Sequence, residues 1–427
     1  MLQQPLTVMF PPPVKVARPL WSQRLPPQAV FRTDVVRGFY HMPTMMQHCS
    51  RTPRVHIRPN TATATAVRAV LFLLALFAAS VQAHAALPLT PEDLTAMGDA
   101  LVRTPVQRDE IPALYRPRYV EAIDASLSLD DIDPVFIVPL PGGPRIYPQR
   151  IMVWHEVVNE LLEDQPFCIT YSPITGTATA YRSRTGRTPL IFGVEGRLLY
   201  GNTVMFDRTT ESLWSQMLGL AFEGPQKGKL LERIPLYRTT WGHARNALPR
   251  ALVLSYPLGS RRAYGKDPYG SYLRPGTYYD NDQLIYAVPK RDKRLPLKKR
   301  VIGIDFEGAR AAIEPDAVRK AGVLNLTLGI TPIAAVYAPG AGIIRIFDAR
   351  IWGRPTTFEI REGKLRDRET GSVWTLEGKA VEGKLKDAVL PEIPGVESMW
   401  FAWFAFHPDT VVMPGNDPLS LPFAGQQ

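Results

Sequence analysis

Beyond residue 85 the apolar positions fall in short runs rather than in long amphipathic stripes. Phe167-Cys-Ile-Thr-Tyr171 and Ile333-Ala-Ala-Val-Tyr337 each stop at a proline or glycine turn. Runs of this length, rich in aromatic and β-branched residues, predict strands. Asp367-Arg-Glu-Thr-Gly-Ser372 has the residue chemistry of a hairpin turn ahead of a Trp-containing run, and Asp207-Arg-Thr-Thr-Glu-Ser212 stands in an equivalent place. Helical spacing is confined to 151–162, 240–247 and 398–406. The expected class is α+β and β-dominated, with mainly antiparallel sheets and a few short helices.

The chain also resembles itself. At a constant offset of 166, Val135 matches Val301, Asn159 matches Asn325, Tyr171 matches Tyr337, Gly176 matches Gly342 and Phe192 matches Phe358. The offset becomes 160 for Asp207/Asp367 and Trp214/Trp374, then 159 for Ala221/Ala380, Trp241/Trp400 and Pro249/Pro408. A six-residue insertion around Tyr200 to Phe206 in the first stretch, and one further residue, account for the change. The expectation is two tandem pseudo-repeats of one β unit. The boundaries are an N-terminal segment over 86–132, copy one over 133–255, a connecting segment over 256–299, copy two over 300–415 and a tail over 416–427. In such a pair, the second unit can cover the first one's exposed sheet edge.

Charge changes the picture only at the N-terminus. Of the formal +10, +8 belongs to residues 1–85, which leaves the rest of the chain at +2. A basic total normally points to nucleic acid, but here it lies outside the expected folded part, so no nucleic-acid partner is expected. The eleven residues Lys290 to Arg300 include seven basic ones, interrupted by Pro296 and with no interleaved aromatic, and read as a solvated linker. Val70 to Val81 is a twelve-residue apolar stretch preceded by Arg68 and followed by Ala83 and Ala85. That is the layout of a signal peptide, with small residues where cleavage would occur, and it is shorter than a membrane span needs. The reading is a signal peptide over 46–85, preceded by a mis-assigned start or a disordered leader over 1–45. The protein is then exported, periplasmic or extracellular. Membrane attachment follows only if Val70–Val81 is retained.

Beyond residue 85 there is one cysteine, Cys168, and three histidines, His155, His243 and His407. An intrachain disulfide and a Cys-rich zinc site are thereby excluded for the processed chain.

Several motifs in fixed order then carry a family resemblance: Val153-Trp-His-Glu-Val-Val-Asn159, Tyr171-Ser-Pro-Ile-Thr-Gly176, Phe192-Gly-Val-Glu-Gly196, Val204 to Gln216, and Ala405-Phe-His-Pro-Asp-Thr410. From about Asp109 to Thr410 the chain resembles the prokaryotic domain-of-unknown-function family 3179. The resemblance implies a Cys-x-x-Cys pair, with selenocysteine in some members, at the positions held here by Ser172 and Thr175. A hydroxyl has neither the low pKa nor the reducible bond of a thiol, so a redox or thiolate-metal role at that turn cannot operate in this chain.

His155-Glu156 with Asn159 is one residue short of a zinc-protease helix, and Asn159 instead reads as a structural turn former. His155 and Glu156 occur in copy one only, since Ala321 and Gly322 hold the matching places in copy two. Glu211 and Gln216 are likewise matched by Gly371 and Leu376. The candidates are therefore His155, Glu156 and Glu211 for catalysis, His155 for a metal, and Tyr171, Ser172, Thr175, Trp214 and Gln216 for binding, all around the Tyr171 turn. No phosphate loop, dinucleotide loop or Gly-x-Ser-x-Gly elbow is present, and no cofactor is indicated. The leading expectation is a non-catalytic or divergent envelope module that binds a small ligand or an envelope protein. The alternative is a metal-handling or redox-related enzyme using His155 and the Tyr171–Gly176 turn.

Overall fold

Strand dominates the computed structural model, which describes residues 89–257, 260, 262–271 and 275–414. The expected leader, signal peptide and tail lie outside the described residues. The principal elements in the first half are α1 (Pro91–Asp99), β1 (Pro134–Leu140), β2 (Gly143–Pro148), α2 (Gln149–His155), β3 (Val157–Leu162), β4 (Gln165–Ser172) and β5 (Thr177–Arg182). They are followed by β6 (Phe192–Leu199), β7 (Asn202–Asp207), β8 (Leu213–Ser215), β9 (Leu220–Glu223), β10 (Tyr237–Thr240), α3 (Trp241–Ala247) and β11 (Leu252–Ser255). The second half runs β12 (Arg300–Phe306), β13 (Ala309–Ile313), α4 (Pro315–Ala321), β14 (Val323–Leu328), β15 (Thr331–Ala338) and β16 (Ile343–Asp348). It ends with β17 (Phe358–Arg361), β18 (Lys364–Asp367), β19 (Val373–Trp374), β20 (Ala380–Glu382), β21 (Val396–Met399), α5 (Trp400–Phe406) and β22 (Val411–Met413).

Each half stacks three layers. In the first, β10, β1, β2 and β11 form one sheet, β3–β4–β5 a second and β6–β7–β8–β9 a third. Strand alternation assigns the faces of the middle layer. Phe167, Ile169 and Tyr171 of β4 join Phe136 and Tyr147 in one core, while Cys168 turns the other way to pack with Trp214 and Met205 of the third layer. In the second half, Ile302, Ile304, Ile333 and Ala335 share one core and Ala334, Val336, Phe358 and Trp374 another. The halves meet in one sheet, where β21 pairs with β5 at Glu397 and Ala178 and so covers part of the β5 edge.

Equivalent side chains make equivalent bonds in the two halves. The Asn159 amide clamps the backbone of Phe192 at 2.8 and 2.9 Å, and the Asn325 amide clamps that of Phe358 at 2.8 Å in both directions. Asn159 sits inside β3, not at a turn before it. The expected helix over 151–162 is corrected in the same way: the helix covers Gln149–His155, and Val157-Val-Asn-Glu continues as strand, where its β-branched residues fit better. The helices near 240 and 400 are found as α3 and α5.

Asp207 accepts the Trp214 indole N–H at 2.9 Å and Asp367 accepts that of Trp374 at 3.0 Å. Each carboxylate also takes the backbone N–H and hydroxyl of the threonine three residues on. Leaving a buried indole and a turn amide without acceptors costs about 3 kcal/mol in total. Asp207→Ala and Asp367→Ala are expected to lose that amount each in urea unfolding, and a loss under about 1 kcal/mol at either site would contradict the role.

Candidate functional site

The β4–β5 hairpin brings the Tyr171–Gly176 turn against β7, and the side chains between them are polar. Alternation along β4 decides which residues face this way. Ile169 and Tyr171 enter the apolar core, whereas Thr170 and Ser172 leave it and pair across the hairpin with Thr179 and Thr177. Every member of the resulting cluster, including Glu156, Asn202, Thr203 and Gln216, is at most 5% exposed.

The cluster has two branches. In one, Thr203 Oγ1 lies 2.7 Å from Glu156 Oε2 and 3.0 Å from Ser172 Oγ, and the Thr203 N–H reaches Ser172 Oγ at 3.2 Å. With a single hydroxyl proton, Thr203 donates to one neighbour at a time, so the protonation of Glu156 sets the direction of the chain. In the other branch, Asn202 Nδ2 donates to Thr175 Oγ1 and to Gln216 Oε1, both at 2.9 Å. Gln216 Nε2 donates to Thr170 Oγ1 at 2.6 Å and Thr179 Oγ1 at 3.1 Å, and those hydroxyls are 3.0 Å apart. Thr177 Oγ1 extends the cluster to Ser398 of β21 at 3.0 Å.

Glu156 is held in an unusual backbone state. It caps α2 in the left-handed region at φ 56°, where the second half has Gly322 at φ 78°. Glycine takes that region freely and a side chain does so at a cost, so the glutamate is retained against local strain. Burial raises its pKa to about 7, against the weaker lowering effect of the Thr203 hydrogen bond.

The connecting segment and the first residue of β12 close the turn from outside. The Tyr278 hydroxyl donates to Ile174 O at 2.7 Å and Arg300 Nη1 donates to Gly176 O at 2.8 Å. Lys298, expected in a solvated linker, is part-buried over the Tyr278 ring at 3.6 Å and donates to Gln283 O at 2.7 Å. Burial lowers its pKa to about 8.

Of the residues expected around the turn, Glu156, Ser172, Thr175 and Gln216 are brought into one cluster, and Tyr171 packs beside it with its ring 5.2 Å from that of Phe136. His155 faces elsewhere. Its Nδ1 lies 2.7 Å from Pro112 O and its Nε2 2.8 Å from the Tyr264 hydroxyl, and burial lowers its pKa to about 4. The neutral ring thus donates from Nδ1 and accepts at Nε2, which leaves neither nitrogen for a metal. Glu211 is 61% exposed at its side chain and pairs with Arg108 at 2.5 Å. Trp214 is held by Asp207 and has its counterpart in Trp374. Asn202, Thr203, Thr170 and Thr179 were not among the expected site residues. The signal for the first two was the insertion over Tyr200 to Phe206, which contains them.

Among the described residues no group of three or more His, Cys, Asp or Glu side chains is placed to hold a metal ion. What the arrangement offers chemically is one protonatable carboxyl bonded to buried hydroxyls, beside a second branch of hydroxyls and amides. No curated protein matches the chain, and no solved structure does. A family model does match, over residues 108–410, and that span takes in both halves and the whole buried cluster. Its description is "Protein of unknown function (DUF3179)", and since the match covers well over half of the chain, the protein belongs to that family.

Proposed function

We propose that this chain is an exported, non-catalytic binding module of the cell envelope, built from two copies of one β unit. The observation that carries the reading is the state of Ser172 and Thr175. Both are 0% exposed, and both hydroxyls are hydrogen-bonded within the buried cluster. A reacting group needs an approach for substrate and a spare valence, and here the turn serves as a scaffold. The engaged nitrogens of His155 weigh against the metal-handling alternative. Export rests on the apolar stretch Val70 to Val81 with Ala83 and Ala85 after it.

The test is intact mass and metal analysis on protein expressed with its own leader and purified without chelators. The expected result is a chain beginning after Ala83 or Ala85, without stoichiometric metal and with Cys168 as the free thiol. Burial raises the pKa of that thiol, so it resists modification. Stoichiometric metal that His155→Ala removes, or a mixed disulfide at Cys168, would replace this reading with the metal-handling or redox one. A mass that retains the leader would make it a membrane-attached protein.

A further inference from the structure

The buried cluster is closed to solvent, but a cavity of about 360 Å³ opens beside α2, lined by Arg150 and Ile151 of that helix. That volume lies within the range of small-molecule sites, roughly 300–1,000 Å³, at its lower end. Val120, Leu129, Ile151, Val253 and Leu254 supply its apolar wall. Its polar lining includes Ser260, Arg262 and Tyr264 together with Arg150.

The two arginines differ in their counter-charges. Arg150 is already neutralised, with Nη2 2.6 Å from Asp133 and Nη1 on Ser128 O. Arg262 forms no ion pair with any described carboxylate and lies over the Trp154 ring, 5.6 Å from its centroid. It is also close enough to His155 to help keep that ring neutral. A half-buried guanidinium without a counter-charge, on the wall of a cavity, is a ready site for an anion.

His155 gains a role from this. Its Nε2 holds the Tyr264 hydroxyl at 2.8 Å, and that hydroxyl lies 3.0 Å from Ser260 Oγ. Tyr264 in turn stacks on Tyr256 with ring centroids 5.1 Å apart and an interplanar angle of 15°. The chain Pro112 O–His155–Tyr264–Ser260 therefore fixes a hydroxyl pair and an aromatic face beside Arg262. Ala321 stands at the position matching His155 in the second half, so this support has no counterpart there.

We infer that this cavity binds a small amphipathic anion, its charged head on Arg262 and Ser260 and its short apolar body against Leu129, Ile151 and Val253. The inference rests on the binding-module reading and names the site and ligand class for it. Isothermal titration of the mature chain with sodium octanoate, against 1-octanol and sodium acetate, tests it. Octanoate is expected to bind saturably at one site, with octanol and acetate each at least tenfold weaker. Arg262→Gln should lose at least tenfold in octanoate affinity with unchanged thermal unfolding, and Arg262→Lys should recover part of it by restoring the charge. No octanoate binding, equal binding of octanol, or unaltered affinity in Arg262→Gln would overturn the site. Such a failure alongside metal-free, adduct-free protein would leave the module reading standing with its ligand elsewhere, whereas bound metal or a Cys168 adduct would overturn the reading itself.

Discussion

Glu156→Gln is expected to stabilise the protein at pH 8 by about 3 kcal/mol and to change little at pH 4. The carboxyl's pKa is raised from about 4.5 to about 7 by burial, so the folded state favours the protonated form. Between those two pH values the unfolded chain has released a proton that the folded chain keeps, so stability falls as pH rises through this window and levels off above it. Each pKa unit is worth about 1.4 kcal/mol, which gives the total of about 3. Glutamine keeps an oxygen for Thr203 and keeps the left-handed backbone, so the comparison isolates the charge; Glu156→Gly would relieve strain as well. Urea unfolding of both proteins from pH 4 to 8 supplies the test. Curves that run parallel across the window would show that Glu156 does not titrate there.

Much of the architecture is legible in residue patterns because it rests on local rules. Short β-branched runs ending at Pro and Gly became strands, and the Asp207 and Asp367 turns formed where their chemistry called for them. The helix starting near 150 was extended too far because the apolar run Val157-Val158 fits a buried strand as well as a helix, and only packing in a sheet separates the two. The site was half legible for a similar reason. The family resemblance pointed to Ser172 and Thr175, and comparing the two halves singled out Glu156 and Gln216, all four of which fall in the buried cluster. The same comparison also picked out His155 and Glu211, because it detects difference without direction. His155 and Glu156 are neighbours in sequence, yet at the end of α2, where Glu156 enters the left-handed region, their side chains reach different partners, Tyr264 and Thr203. That divergence is settled by the backbone and packing at the helix end, which no spacing rule reports.

Gln216→Leu is expected to destabilise the protein by about 4 kcal/mol, with a fall in Tm on the order of 10 °C. Leucine fills a similar volume but removes the acceptor for Asn202 Nδ2 and the donors to Thr170 and Thr179, all inside a region at most 5% exposed. Buried groups that lose their partners cost more than the bonds contributed, which is why a single apolar substitution in a saturated network is severe. At the matching sequence offsets of 160 and 166 stand two apolar residues, Leu376 and Val336. Thr170→Val combined with Gln216→Leu should therefore be less damaging than the sum of the single changes, by about 1 kcal/mol, because the leucine then meets a methyl group in place of a hydroxyl that has lost its Gln216 donor. Thermal and urea unfolding of the three variants decides the matter. Strict additivity would mean that Thr170 and Gln216 are not coupled, and that the hydroxyl chain holds the turn by packing alone.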